Sequence, residues 1–231
     1  MALGHAEEEK VIAQNPGAGR RVRLRLKDEH REMAYLSRDE IAAYLAAAER
    51  AYWPLAMFLL GTGARIGEAV AVQWGDIDLA GRAVIIRRVQ KKGGVVGSTK
   101  SDKERRVAIG ETLAIMLADR RARAGEHVDD LAGELVFTNR SGRAFRPKGV
   151  STTWHKKTLA TAGITKPVRL HDLRHSAAAA WIKAGLPLVF VQAQLGHASI
   201  QTTLRHYGHL DEGFMQEAAA KADAAVFRAR S

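Results

Sequence analysis

Apolar positions along the chain change period several times, and each change marks an expected element. Ser37-Arg38-Asp39-Glu40 has the hydroxyl-to-carboxylate spacing of a capping box. Ile41, Tyr44 and Leu45 follow at helical spacing, so a helix is expected there. Residues 53–61 (WPLAMFLLG) are apolar on every side, which predicts a buried helix with Pro54 in its first turn. Gly61-Thr62-Gly63 breaks it, and a further helix is expected over residues 65–74. Residues 83–89 (AVIIRRV) and 105–109 (RRVAI) read as strands joined by the glycine-rich, basic stretch KKGGVVGSTKSDKE.

Residues 111–125 return to helical period with Leu113, Met116 and Leu117 on one face. A short strand at 135–137 and a turn at 139–142 come next, then helices over 150–162, 171–184, 188–195 and 199–207. Gly185-Leu186-Pro187 and Gly196-His197 separate the last three. A terminal helix over 211–228 has Phe214, Met215, Ala218, Ala222 and Val226 as its stripe. At the other end, residues 2–14 suggest a short helix stopped by Asn15-Pro16, and GAGRRVRLRLK makes a basic connector. No internal repeat occurs. The expected fold class is α+β, mainly α, with a small antiparallel sheet packed on a helical core.

Composition narrows the partners. Lys and Arg number 36 against 25 acids, a formal charge of +11 over 231 residues. A field of that sign draws polyanions, nucleic acid first and anionic membrane second. The chain has no cysteine, which removes disulfides, thiolate metal sites and a cysteine nucleophile. No run of about 18 apolar residues indicates a membrane span, and the acidic start MALGHAEEEK has no signal-peptide core, so a cytoplasmic protein is expected.

Candidate chemistry collects in four places. Arg65 and Glu68 sit three apart and share a helix face, either as a surface ion pair or as part of a site beside the glycine bend. His171 and Arg174 share another face, with His175 one turn after His171. A zinc site of H-x-x-x-H type is disfavoured, since Asp172 stands where that motif needs Glu and Arg174 brings a cation. His197 follows Gly196 at a helix start. Tyr207 has histidines on both sides, at 206 and 209.

GTGARIGEA, TKSDKERRVAI, HDLRH and LGHASIQTTLRHY, in that chain order, resemble the boxes of the tyrosine recombinases, specifically the phage-type integrases. The resemblance covers residues 36–210 and implies a catalytic domain of that family. Its functional positions fall on Arg65, Glu68, Lys100, His171, Arg174, His197 and Tyr207, with Lys103 as the alternative to Lys100. Residues 1–16 then resemble the last helix of a core-binding domain, 17–35 a basic linker, and 211–231 a tail exchanged between subunits. On this resemblance the chain is a catalytic-domain fragment.

The implied activity is site-specific cleavage and rejoining of double-stranded DNA at attachment or crossover sites. Arg65, Arg174 and His197 would hold the phosphate, and Tyr207 would attack to form a 3′-phosphotyrosyl bond. His171 would accept the tyrosine proton, Lys100 would protonate the departing 5′-oxygen, and Glu68 would position its neighbours. No metal or other cofactor is implied. The family works as a homo-tetramer on DNA, formed from chains monomeric in isolation, with accessory directionality or DNA-bending proteins and no membrane partner. Type IB topoisomerases share the chemistry, and a non-cutting DNA-binding regulator is the alternative outside enzymes.

Overall fold

The computed structural model describes residues 8–11, 13, 34–90, 96–98, 104–125, 130–139 and 141–207. The chain divides into two compact units, Met1–Glu32 and Met33–Ser231. In the first, Lys10 stands at φ 58°, a left-handed turn that an unbroken helix over 2–14 cannot hold. The rest of that expected helix, the basic connector, the terminal helix over 211–228, Lys100 and Lys103 lie outside the described residues.

The second unit opens with α1, Arg38–Ala47, capped as its sequence dictates: Ser37 Oγ accepts from the Glu40 N–H, and the Glu40 carboxylate accepts from the Ser37 N–H. Helix α2, Trp53–Thr62, is buried on nearly every side, with Leu55, Phe58 and Leu59 at the centre of the core. Helix α3 is a correction. It spans only Ile66–Ala69, one turn rather than the expected 65–74. The chain leaves the helix because the Val72 carbonyl accepts from the Val136 N–H and the Trp74 N–H donates to the Glu134 carbonyl. Residues 135–137 likewise form an isolated bridge from Leu135 to Gln73 instead of a strand.

The sheet runs β1 (Ile77–Asp78), β2 (Ala83–Ile86) and β5 (Arg105–Ala108), all antiparallel, with Val84 opposite Val107. The expected strand 83–89 splits at Arg87. Residues Arg88–Gln90 (β3) pair instead with Val96–Ser98 (β4) as a separate hairpin. Buried Asp76 forces the split by drawing in the guanidinium groups of both Arg87 and Arg88. Helix α4, Glu111–Gly125, buries the Leu113, Met116 and Leu117 stripe that its period predicts.

The remaining helices form the other half of the core. Helix α5 starts as Pro147–Gly149, widens to π geometry over Val150–His155 and ends as Lys156–Thr161. It is followed by α6 (Asp172–Lys183), α7 (Leu188–Leu195) and α8 (Ile200–Tyr207). A buried polar chain locks α5 to the first two helices. The Val168 carbonyl can only accept, so His155 Nε2 carries the hydrogen that bonds it at 3.0 Å. His155 Nδ1 therefore accepts from the Tyr44 hydroxyl at 2.7 Å, and Tyr44 in turn accepts from Tyr52 at 2.7 Å. Burial holds the His155 imidazole below the usual histidine range, consistent with this neutral form. Leu36 N–H donates to Ser176 Oγ, which fixes α6 against the segment before α1.

Candidate active site

Arg65 sits in extended conformation at the entry to α3, with its side chain half-exposed. Glu68, 3% exposed, reaches back to accept its backbone N–H at 2.8 Å and its guanidinium at 3.1 Å. The same carboxylate takes a fork from Arg105 on β5, at 3.1 and 2.7 Å. Burial opposes ionisation of Glu68, but the Arg105 fork and charge, then the Arg65 N–H and charge, hold its carboxyl at about 2. Glu68 is thus a fixed anion that sets the position of Arg65.

Arg174 on α6 is 3% exposed and bonds two main-chain carbonyls, Gly63 at 2.7 Å and Leu195 at 2.5 Å. Both acceptors lie where the chain turns left-handed, with Gly63 at φ 62° and Gly196 at φ 66°. Neither site has room for a side chain. A Cβ on Gly63 would stand 2.8 Å from Leu195 Cδ2, and one on Gly196 2.7 Å from Arg105 Cδ. Burial, then the neighbouring charge of Arg65, brings Arg174 down to about 10, so it stays charged at neutral pH.

His171 precedes α6. It is exposed by area, yet the protein mass beneath it and then Arg174 hold its imidazole below the usual range, with Arg65 acting the same way and Asp172 opposing. Asp172 is buried, and Arg169 grips it through its backbone N–H and its guanidinium. His197, between α7 and α8, has Nδ1 engaged by buried Thr203 at 2.9 Å.

Tyr207 ends α8 inside a small apolar cluster with Ala178, Ile182, Val191 and Leu195, and is 1% exposed. Its hydroxyl lies 2.5 Å from Nδ1 of His175. Burial pushes the phenol up to about 12, against a lowering pull from Arg174, so at neutral pH it holds its proton and donates to Nδ1 when the imidazole carries its hydrogen on Nε2. His175 also faces His171 edge-on, with ring centroids 5.2 Å apart.

Five of the expected positions, Arg65, Glu68, His171, Arg174 and Tyr207, are therefore linked by hydrogen bonds, ring contacts or mutual fields, directly or through Arg105 and His175. His197 enters through the α7–α8 junction, and Lys100 lies outside the described residues, two positions beyond β4. Sequence reasoning missed Arg105 and His175 as site members. Each stood inside a box already quoted, but only its partner across the fold gives it a role. Among the described residues no group of three His, Asp or Glu side chains is placed to hold a metal ion.

Residues 24–213 match the family described as the phage integrase family. The chain belongs to that family. One relative, a "Tyrosine recombinase XerC-like" protein of Caldanaerobacter subterraneus, is 28% identical over 90% of this chain, which covers 59% of that protein. The chain thus spans little more than half the length of such relatives. Among solved structures, XerA recombinase superposes with a TM-score of 0.62 at 27% identity, covering 86% of this chain and 66% of that one. The Tn1549 transposon integrase, in complex with a circular intermediate DNA, gives 0.68 at 18% identity over 94% and 75%, a likeness of fold. The phage integrase fold was read correctly from the boxes, including its small antiparallel sheet.

Proposed function

We propose that this chain carries the DNA-cutting and rejoining centre of a site-specific recombinase that integrates and excises a mobile element. The carrying observation is the pair of like charges at Arg65 and Arg174, close enough for the Arg65 charge to act on the buried Arg174 guanidinium. A buried carboxylate beside them, Glu68, is shared with Arg105, and buried Asp172 is gripped by Arg169. Such a surplus of fixed positive charge favours an anion, and a phosphodiester supplies planar non-bridging oxygens that match guanidinium forks. Tyr207 lies within the field of the same Arg174, which puts a nucleophile next to that anion.

The chemistry then follows. Arg65, Arg174 and His197 hold the phosphate and neutralise charge gathering on it in the transition state. Tyr207 Oη attacks phosphorus, the bond to the 5′-oxygen breaks, and Lys100 gives that oxygen a proton. The phosphotyrosyl bond conserves energy, so a 5′-hydroxyl from a partner duplex reverses the step and seals the exchanged strand. We carry the tetramer on paired sites, monomers in solution, accessory DNA-bending proteins and a place on the cytoplasmic nucleoid as parts of the same reading. The relatives' names support the recombinase reading, and the DNA in the Tn1549 complex supports DNA as the partner.

The test is a nicked duplex bearing the element's attachment site, which traps the covalent intermediate. Wild type should form a protein–DNA adduct and Tyr207→Phe none. Absence of adduct from wild type, or its persistence in the variant, defeats the proposal. Binding by a chain of charge +11 should weaken steeply with salt as phosphate contacts release counterions, measured by titration of labelled duplex at several ionic strengths.

A further inference from the structure

The structure assigns proton acceptance from Tyr207 to His175, not to His171, in the strand-cleavage step. This inference rests on the recombinase reading above. The family resemblance puts His171 in that role, but geometry favours its neighbour one turn on. His175 Nδ1 is 2.5 Å from the Tyr207 hydroxyl, a direct contact with the reacting atom. His171 touches the ring of His175 rather than the phenol.

The surroundings suit His175 to a transient positive charge. On its own helix, Asp172 is a buried carboxylate held ionised, and its field and that of His175 favour each other's charge. His171 is kept neutral by the protein around it and by Arg174 and Arg65, so a second imidazolium does not stand beside the first. The nearby cations are Arg174 on α6 and Arg65 at the entry to α3, whose charges act on the adjoining His171, and an arriving phosphate offsets both. From α8 the facing group is Tyr207 itself.

The step balances. As the bond from Oη to phosphorus forms, the phenol proton moves to Nδ1 of His175, and the bond from phosphorus to the 5′-oxygen breaks. The departing oxygen takes its proton from Lys100. On rejoining, His175 returns the proton to the phenolate as tyrosine leaves. Because Tyr207 is 1% exposed, the phosphodiester must open the cover over the ring, while the His175 contact keeps the phenol oriented.

Single-turnover adduct formation on the nicked attachment-site duplex tests this across pH. Wild type should lose rate as pH falls, because protonated His175 cannot accept. His175→Ala should cut the rate by about 100-fold, within the range of a lost general base, and added imidazole should restore part of it. His175→Asn keeps a hydrogen-bonding group near Nδ1 but cannot take the proton, so it should be as slow as His175→Ala and should lose the acid limb. His171→Ala should slow cleavage yet keep that limb. Circular dichroism and duplex binding confirm that each variant is folded. The inference is overturned if a folded His175→Asn cleaves within about threefold of wild type, if His175→Ala is unslowed or faster, or if the acid limb disappears with His171 instead. Absence of adduct from wild type removes the recombinase reading and this inference together, whereas adduct from wild type and His175→Asn alike removes the inference alone.

Discussion

Glu68 shows how one side chain can set the state of its neighbours. Its carboxyl titrates near 2 in the fold against an ordinary 4.5, so its contribution is complete above about pH 5 and is lost as pH falls toward 2. That shift corresponds to roughly 3 kcal/mol at neutral pH. Urea unfolding at a series of pH values should show this acid-side loss in wild type and a flatter profile in Glu68→Gln, which should also be less stable at pH 7. Arg105→Lys replaces the two-pronged fork with a single point charge. It should reduce adduct formation about tenfold through a misplaced Arg65, with duplex affinity changed far less. Arg65, Glu68 and Arg174 were legible through the resemblance of their boxes, since spacing alone left Arg65 and Glu68 open as a surface ion pair. Arg105 was not, because its meaning comes from a carboxylate 37 residues away. His175 was visible in HDLRH, but local sequence does not say which imidazole meets a tyrosine 32 residues on.

At the level of elements, most helices were legible because each carries its own period and its own stops. Capped α1, apolar α2 and striped α4 needed no tertiary information. Two of the misread segments share a cause. Residues 70–74 and the strand broken at Arg87 are decided by partners elsewhere, the 134–136 segment and Asp76. One further device joins the halves of the site. Gln194 on α7 pairs its side-chain amide with both main-chain groups of Ala108 on β5, accepting at 2.9 Å and donating at 2.8 Å, as an extra strand residue would. Gln194→Leu leaves the Ala108 groups unpaired and should cost about 1–3 kcal/mol. Chemical denaturation would measure that cost. Gly196→Ala should cost more, since the left-handed backbone and the packed Arg105 chain both resist a methyl group.

Across the whole molecule, the catalytic half rests on the polar chain from Tyr52 through Tyr44 and His155 to Val168. Tyr44→Phe strands the Tyr52 hydroxyl and His155 Nδ1, and should lower stability by about 1–3 kcal/mol without touching Arg65 or Arg174. A drop in Tm with an unchanged cleavage rate below the transition would bear that separation out, and equal losses in both would contradict it. No local pattern announced this network, because its members come from two helices far apart in the chain and from the segments that precede two others.

The separation of the site along the chain has a consequence for the newly made protein. Arg65, Arg105 and Arg174 leave the ribosome before Tyr207, and the pocket that covers the tyrosine is built from α6 and α7, both already made by then. Domains fold progressively as synthesis proceeds. On the recombinase reading, a growing chain would hold its three arginines before it has anything to cut with, and Tyr207 would emerge into a pocket ready to enclose it. Ribosome-stalled chains that end before residue 200 should leave a nicked attachment-site duplex intact, and cleavage by them would rule this order out.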